Sequence, residues 1–140
     1  MNETGTKPGE PQPGVMPRVL VVDDDTYIRD VVTQLLAGEG YDVAEAANGV
    51  EALRVATDLA HPPQLILLDL MMPIMDGWEF ARRLQEHRPV ITIPIIVLSA
   101  ARLPAERLQG LGAQAILAKP FDLDELLNHV ARLAQWPSSG

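Results

Sequence analysis

Three stretches of the chain, Arg18 to Val22 after its first residue, Leu65 to Leu68 and Ile95 to Leu98, are apolar at every position. A strand reads this way when helices cover both of its faces, since neither side can then carry polar groups to water. Between these stretches the apolar residues fall at intervals of three and four. Ile28, Val31, Val32, Leu35 and Leu36 form one stripe of an amphipathic helix from about Thr26, stopped by Gly38 and Gly40. Tyr41 to Ala46 alternates as a second strand, and Asn48-Gly49 turns the chain. Helical spacing then predicts a helix over Val50 to Ala60, through Leu53, Ala56 and Leu59-Ala60, broken by His61-Pro62-Pro63. Trp78, Ala81 and Leu84 mark a third helix, and a weak fourth lies between Pro104 and Gly110. Ala115 to Leu117 is the fifth strand. Asp122, with Glu125 three residues on, opens a last helix whose buried side carries Leu126, Leu127, Val130, Ala131 and Leu133.

Five strand–helix units in series predict an α/β fold: a doubly wound, five-stranded parallel sheet of order 2-1-3-4-5, the flavodoxin-like (βα)5 arrangement. The order reverses between strands 1 and 3, and the crevice at their carboxyl ends is where such sheets bind ligands. The length of 140 residues suits one domain, over 18–136. The Pro- and Gly-rich residues 1–17 read as a flexible N-terminal tail and 137–140 as a C-terminal one.

Composition narrows the chemistry. The net charge of −8 argues against direct grip on nucleic acid or an anionic membrane. The absence of cysteine removes disulfides, thiolate metal sites and thiol nucleophiles, and fits a cytoplasmic setting. No apolar run approaches the ~18 residues of a membrane span.

The acids sit where the fold places a ligand. Asp23, Asp24 and Asp25 leave strand 1, and Asp69 leaves strand 3. Crowded carboxylates repel, and a hard divalent cation relieves them; Mg²⁺ needs only a few such oxygens because it keeps several waters. One acid, Asp25, is reserved for the ordinary task of capping the next helix. Ser99 leaves strand 4, and Lys119 leaves strand 5 as the only lysine outside the N-terminal tail. Taken singly, each is an ordinary strand-end serine or surface lysine. Around a metal–carboxylate cluster, a hydroxyl and an ammonium suit a phosphoryl group, one donating to an oxygen and the other neutralising charge.

The segments VLVVDDD (19–25), LILLDLMMPIMDG (65–77), IPIIVLSA (93–100) and AKPF (118–121), in this order and spacing, resemble the receiver domain of bacterial two-component response regulators, the CheY-like family. The resemblance spans 18–136. It implies that Asp69 is the phosphoacceptor and that Asp24 binds Mg²⁺ directly, with Asp23 acting largely through water. It implies that the backbone carbonyl of Met71 completes the metal site, that Ser99 is the switch hydroxyl, and that Lys119 is the charge partner of the phosphoryl group. Lys119-Pro120 resembles the family's cis peptide, Pro73 and Gly77 its loop-shaping residues, and Ala100 its small residue beside the site. The implied donor is a phosphohistidine of a sensor histidine kinase or phosphotransfer protein, chosen in part by Tyr27, Ile28, Arg29 and Val31. The implied output is a change in contacts with a downstream protein, by a monomer or weak dimer, either stand-alone or excised from a larger regulator. Beyond phosphorylating and dephosphorylating itself, the domain is not expected to be an enzyme.

The sequence departs from the family pattern in places. Ile116 stands where an aromatic residue usually reports the state of the switch hydroxyl, and Gln114-Ala115 replaces a frequent acidic pair. Met71 and Ala101, flanking the site, are both apolar, which is expected to slow loss of the phosphoryl group. His61, His87 and His129 form no ligand cluster, and Trp78 and Trp136 read as packing residues. Two other readings remain at this point. One is a small aspartyl phosphatase of the haloacid-dehalogenase type, which also carries D-x-D after its first strand. The other is a receiver-fold scaffold acting unphosphorylated.

Overall fold

The computed structural model describes residues 17–87, 92–100 and 103–134; the tails expected at 1–17 (apart from Pro17) and 137–140, together with Ala101 and Trp136, lie outside them. The elements are β1 (Arg18–Val22), α1 (Thr26–Gly38), β2 (Asp42–Ala46), α2 (Gly49–Ala56), β3 (Leu65–Asp69), α3 (Gly77–Gln85), β4 (Ile95–Ser99), α4 (Ala105–Gln109), β5 (Ala115–Ala118) and α5 (Leu123–Leu133). The strands form one parallel sheet in the order β2-β1-β3-β4-β5, as expected.

The wholly apolar strands explain the two-layer cover. Successive side chains point to opposite faces of the sheet, so each strand feeds two cores. Leu20, Val22, Ile66, Leu68 and Val97 meet Ala52, Ala56, Phe80 and Leu84 of α2 and α3 on one face. Val19, Val21, Leu65, Leu67, Ile96 and Leu98 meet Val32, Leu36, Leu126 and Val130 of α1 and α5 on the other. Each fully buried side chain of this kind contributes about 1.5–3 kcal/mol relative to exposure.

Helix starts follow their caps. Asp25 accepts the Tyr27 and Ile28 amides, Asn48 that of Glu51, Asp76 that of Glu79 and Asp122 that of Glu125. One helix end differs from the pattern. The second helix stops at Ala56 instead of running to Ala60, and Leu59 is exposed. The reason is local: Asp58 Oδ1 accepts the Ala60 amide and the Asp58 carbonyl accepts the His61 amide, so the side chain offers the backbone a turn in place of another helical one. Ala131, expected on the buried side of α5, faces solvent.

Register sets the ligand-binding edge. Val22 pairs with Leu68, Asp69 with Leu98, and Ser99 with Ala118, so the residues that follow β1, β3, β4 and β5 emerge side by side. The loop after β3 is pinned close to the sheet. A Cβ on Gly77 would lie 2.8 Å from the Asp69 carbonyl oxygen, and the Gly77 amide donates to Leu70 O at 2.9 Å. Within this loop Ile74 has φ of +71° and is 82% exposed, a left-handed backbone that a β-branched side chain resists. Ile74→Gly relieves that resistance at the cost of a more flexible unfolded chain. The net gain expected in urea denaturation is about 0.5–1 kcal/mol.

Candidate functional site at the sheet switch point

Asp23, Asp24 and Asp69 come together at the carboxyl edge between β1 and β3, each offering a carboxylate oxygen within 4.8 Å of the others. Asp23 is fully buried, Asp69 nearly so, and Asp24 is exposed. Asp25 stays out of the cluster and caps α1, the role reserved for it.

Lys119 enters from the end of β5. Its Nζ lies 2.7 Å from Asp23 Oδ2 and 3.7 Å from Asp69 Oδ1. Its amide donates to the Ser99 carbonyl at 2.7 Å, which ties the ends of β4 and β5 together. The peptide from Lys119 to Pro120 is cis. Ser99 is buried at the end of β4, and Ala100 beside it is exposed. Met71 donates its amide to Asp69 Oδ1 at 3.3 Å, while its side chain is 61% exposed at the rim.

The electrostatics of the cluster are those of crowded acids. Burial first, then repulsion from Asp23 and more weakly from Asp24, pushes the Asp69 carboxyl up to about 6, against the pull of Lys119 and the Met71 amide. One lysine therefore does not neutralise the group, and a divalent cation fits what is left over. The donor set is all oxygen, which matches Mg²⁺ and not the nitrogen- and sulfur-seeking transition metals.

All of the acids, the serine and the lysine singled out in the sequence lie at this edge. Ile116, which replaces the family's usual aromatic residue, is 46% exposed and lines a groove with Ser99, Leu103, Leu108 and Lys119. Trp78 is half-buried; its indole N–H donates to the Arg107 carbonyl at 3.1 Å and its ring carries the Arg107 guanidinium 4.3 Å above the centroid. Arg29 turns inward, donating to the Asp23 carbonyl at 2.6 Å and pairing with Glu45 at 3.2 Å. The only sequence signal for this was a basic side chain one turn inside the helix that directly follows the acids.

The sequence pattern of the family described as response regulator receiver domain matches residues 19–131. The DNA-binding dual master transcriptional regulator RpaA of a Synechocystis strain is 40% identical over 120 residues, covering 84% of this chain and 49% of that protein. Response regulator MprA of Mycobacterium avium is 43% identical over 119 residues, covering 83% of this chain and 50% of that protein. The chain thus spans about half the length of these curated relatives. Among solved structures, chemotaxis response regulator CheY4 of Vibrio cholerae matches with a TM-score of 0.76 at 34% identity, covering 85% of this chain and 99% of that one. Response regulator protein TrrA of Thermotoga maritima, solved in complex with Mg²⁺ and BeF, matches with a TM-score of 0.72 at 34% identity, covering 84% and 99%.

Proposed function

Because the chain belongs to the response regulator receiver domain family of two-component systems, we propose that it accepts a phosphoryl group on Asp69 from a phosphohistidine of a sensor histidine kinase or phosphotransfer protein. The observation that carries the reading is the convergence of Asp23, Asp24 and Asp69 with Lys119 set between the two buried acids. Asp69 is the acid of the three that lies on β3, at the centre of the edge, with Ser99 ending β4 and Lys119 following β5 beyond it.

A carboxylate oxygen of Asp69 attacks phosphorus; the new O–P bond forms as the donor's N–P bond breaks, and the imidazole leaves with the bonding pair. The Asp69 amide environment holds the nucleophile in place: Met71 N–H on Oδ1 keeps one carboxylate oxygen oriented. Lys119 supplies positive charge for a phosphoryl oxygen, and the Ser99 hydroxyl donates to another. Asp23 and Asp24, with Asp69 and the Met71 carbonyl, are the groups that would hold Mg²⁺. Bound there, Mg²⁺ neutralises charge on the transferring group and screens the acids from one another. Hydrolysis of the acyl phosphate at the same site resets the switch, and the two states differ in the protein surface they offer a downstream target. No helix among the described residues is long and apolar enough to cross a membrane.

The Met71 side chain is exposed at the rim of the site, two residues after Asp69. Met71→Asn is expected to shorten the phosphoryl half-life by roughly 2- to 10-fold, since a polar side chain admits and orients water that an apolar one excludes. Loss of the adduct followed by mass after removal of the donor reads this directly; an unchanged half-life contradicts it.

The phosphoacceptor reading is tested by incubating the protein with acetyl phosphate, with and without Mg²⁺, and recording intact mass. It predicts one added phosphoryl group only when Mg²⁺ is present. Catalytic turnover of a generic phosphate monoester would instead favour an aspartyl phosphatase. Absence of any adduct would favour a scaffold that works unphosphorylated.

A further inference from the structure

Asp23 is held on every side. Its amide donates to Ala46 O at 3.1 Å, Oδ1 accepts the Asp25 amide at 2.9 Å, and Oδ2 accepts Lys119 Nζ at 2.7 Å. Its backbone carbonyl accepts from Arg29 Nη1 at 2.6 Å. The Arg29 guanidinium is itself anchored, with Nε 3.2 Å from Glu45 Oε1 on β2, and its side chain is only 17% exposed. The planar fork of one arginine thus bridges the end of β1 to β2, a geometry a lysine cannot reproduce.

The Asp23 carbonyl and the Asp24 amide lie in one rigid peptide plane. Holding that carbonyl restrains the plane, and with it the N–Cα bond of Asp24, so that only rotation about that bond is left to aim the side chain. Asp24 is the exposed acid of the cluster, and among the described residues no donor holds its carboxylate. Its placement therefore depends on its backbone. We infer that Arg29 is a positioning residue for divalent-cation binding: by gripping the 23–24 peptide, with Glu45 as its anchor, it pre-orients Asp24 toward the site. This rests on the Mg²⁺ reading above.

The sign of the effect separates positioning from simple charge. Arg29 is a cation near a cation site, so on Coulomb grounds alone its removal strengthens Mg²⁺ binding. Positioning requires the opposite. A role confined to packing lowers stability and leaves Mg²⁺ affinity as it was.

The test is Mg²⁺ titration calorimetry on the full chain, with Arg29→Ala and Arg29→Lys beside the wild type, at a temperature where circular dichroism shows all three folded. Arg29→Ala is expected to bind Mg²⁺ about tenfold more weakly, the scale of a lost outer-shell contact. Arg29→Lys falls between, because it keeps the charge and reaches only one of the two anchors. In the metal-free protein, ¹⁵N relaxation is expected to show the Asp24 amide gaining fast motion in Arg29→Ala. Should that variant not fold, Glu45→Gln at the exposed anchor is expected to loosen the same amide. Equal or tighter Mg²⁺ binding by Arg29→Ala, or an Asp24 amide as rigid as in the wild type in whichever variant folds, overturns the inference. A wild type that takes up no Mg²⁺ overturns the metal reading itself; the metal-free relaxation data distinguish that failure from this one.

Discussion

Asp69→Asn is expected to take up no phosphoryl group from acetyl phosphate and, without Mg²⁺, to be more stable than the wild type at pH 7 by about 2 kcal/mol. Both effects come from the same carboxylate. The amide has no anionic oxygen to attack phosphorus, so the loss of adduct is complete. The gain in stability follows from the crowding: burial and the Asp23 charge raise the Asp69 carboxyl from 3.8 to about 6. A carboxyl with a raised folded-state pKa binds its proton more tightly in the folded chain. The wild type is thus favoured at low pH and loses that advantage as pH climbs from about 4 to about 6. The stability difference between Asp69→Asn and the wild type should widen across that interval and stay level above it. Mg²⁺ is expected to reverse the ranking at neutral pH, because on the proposed function it binds the wild-type cluster and would stabilise it by mass action. Urea denaturation across pH, with and without Mg²⁺, reads all of this; a metal-free Asp69→Asn less stable than the wild type at pH 7 would contradict it.

Lys119→Met destabilises the protein by about 2–4 kcal/mol at pH 7 without Mg²⁺, because it breaks a buried ion pair from one side only. Asp23 has no exposed surface, and Lys119 Nζ at 2.7 Å is the partner of its Oδ2. Methionine fills the space of the lysine stem but leaves that oxygen buried beside Asp69 with no cation. Phosphoryl uptake also slows, since no ammonium remains to offset the incoming charge. Adding Mg²⁺ should narrow the stability gap, as the metal supplies part of the missing charge, without restoring the rate. Denaturation curves that overlay the wild type would show that the Lys119 contacts at 2.7 and 3.7 Å contribute nothing to the fold.

What was legible in the sequence is what depends on neighbours along the chain. Leu65 to Leu68 could only be a strand covered on both faces, and Asp25 and Asp122 announced the helices they cap. The strand order followed from the repeated βα unit, and with it the edge at which Asp23, Asp24, Asp69, Ser99 and Lys119 meet. What was not legible depends on contacts across the fold or on a local choice between near-equal turns. Asp58 ended α2 early by bonding the backbone, although Leu59-Ala60 kept the helical spacing. Arg29 on α1 is drawn inward by the end of β1 and by Glu45 on β2, contacts across the fold that no local pattern announces. The left-handed backbone at Ile74 is imposed by the loop that Gly77 pins to Leu70, and nothing in the residue itself suggests it.

The residue that carries the phosphoryl group can be located chemically. Borohydride reduction of the acetyl phosphate-treated protein converts an acyl phosphate to an alcohol, and peptide mass mapping then assigns the altered residue. Asp69 alone is expected to be altered, and only after treatment in Mg²⁺. Reduction at Asp23 or Asp24, or the same pattern in Asp69→Asn, would contradict it.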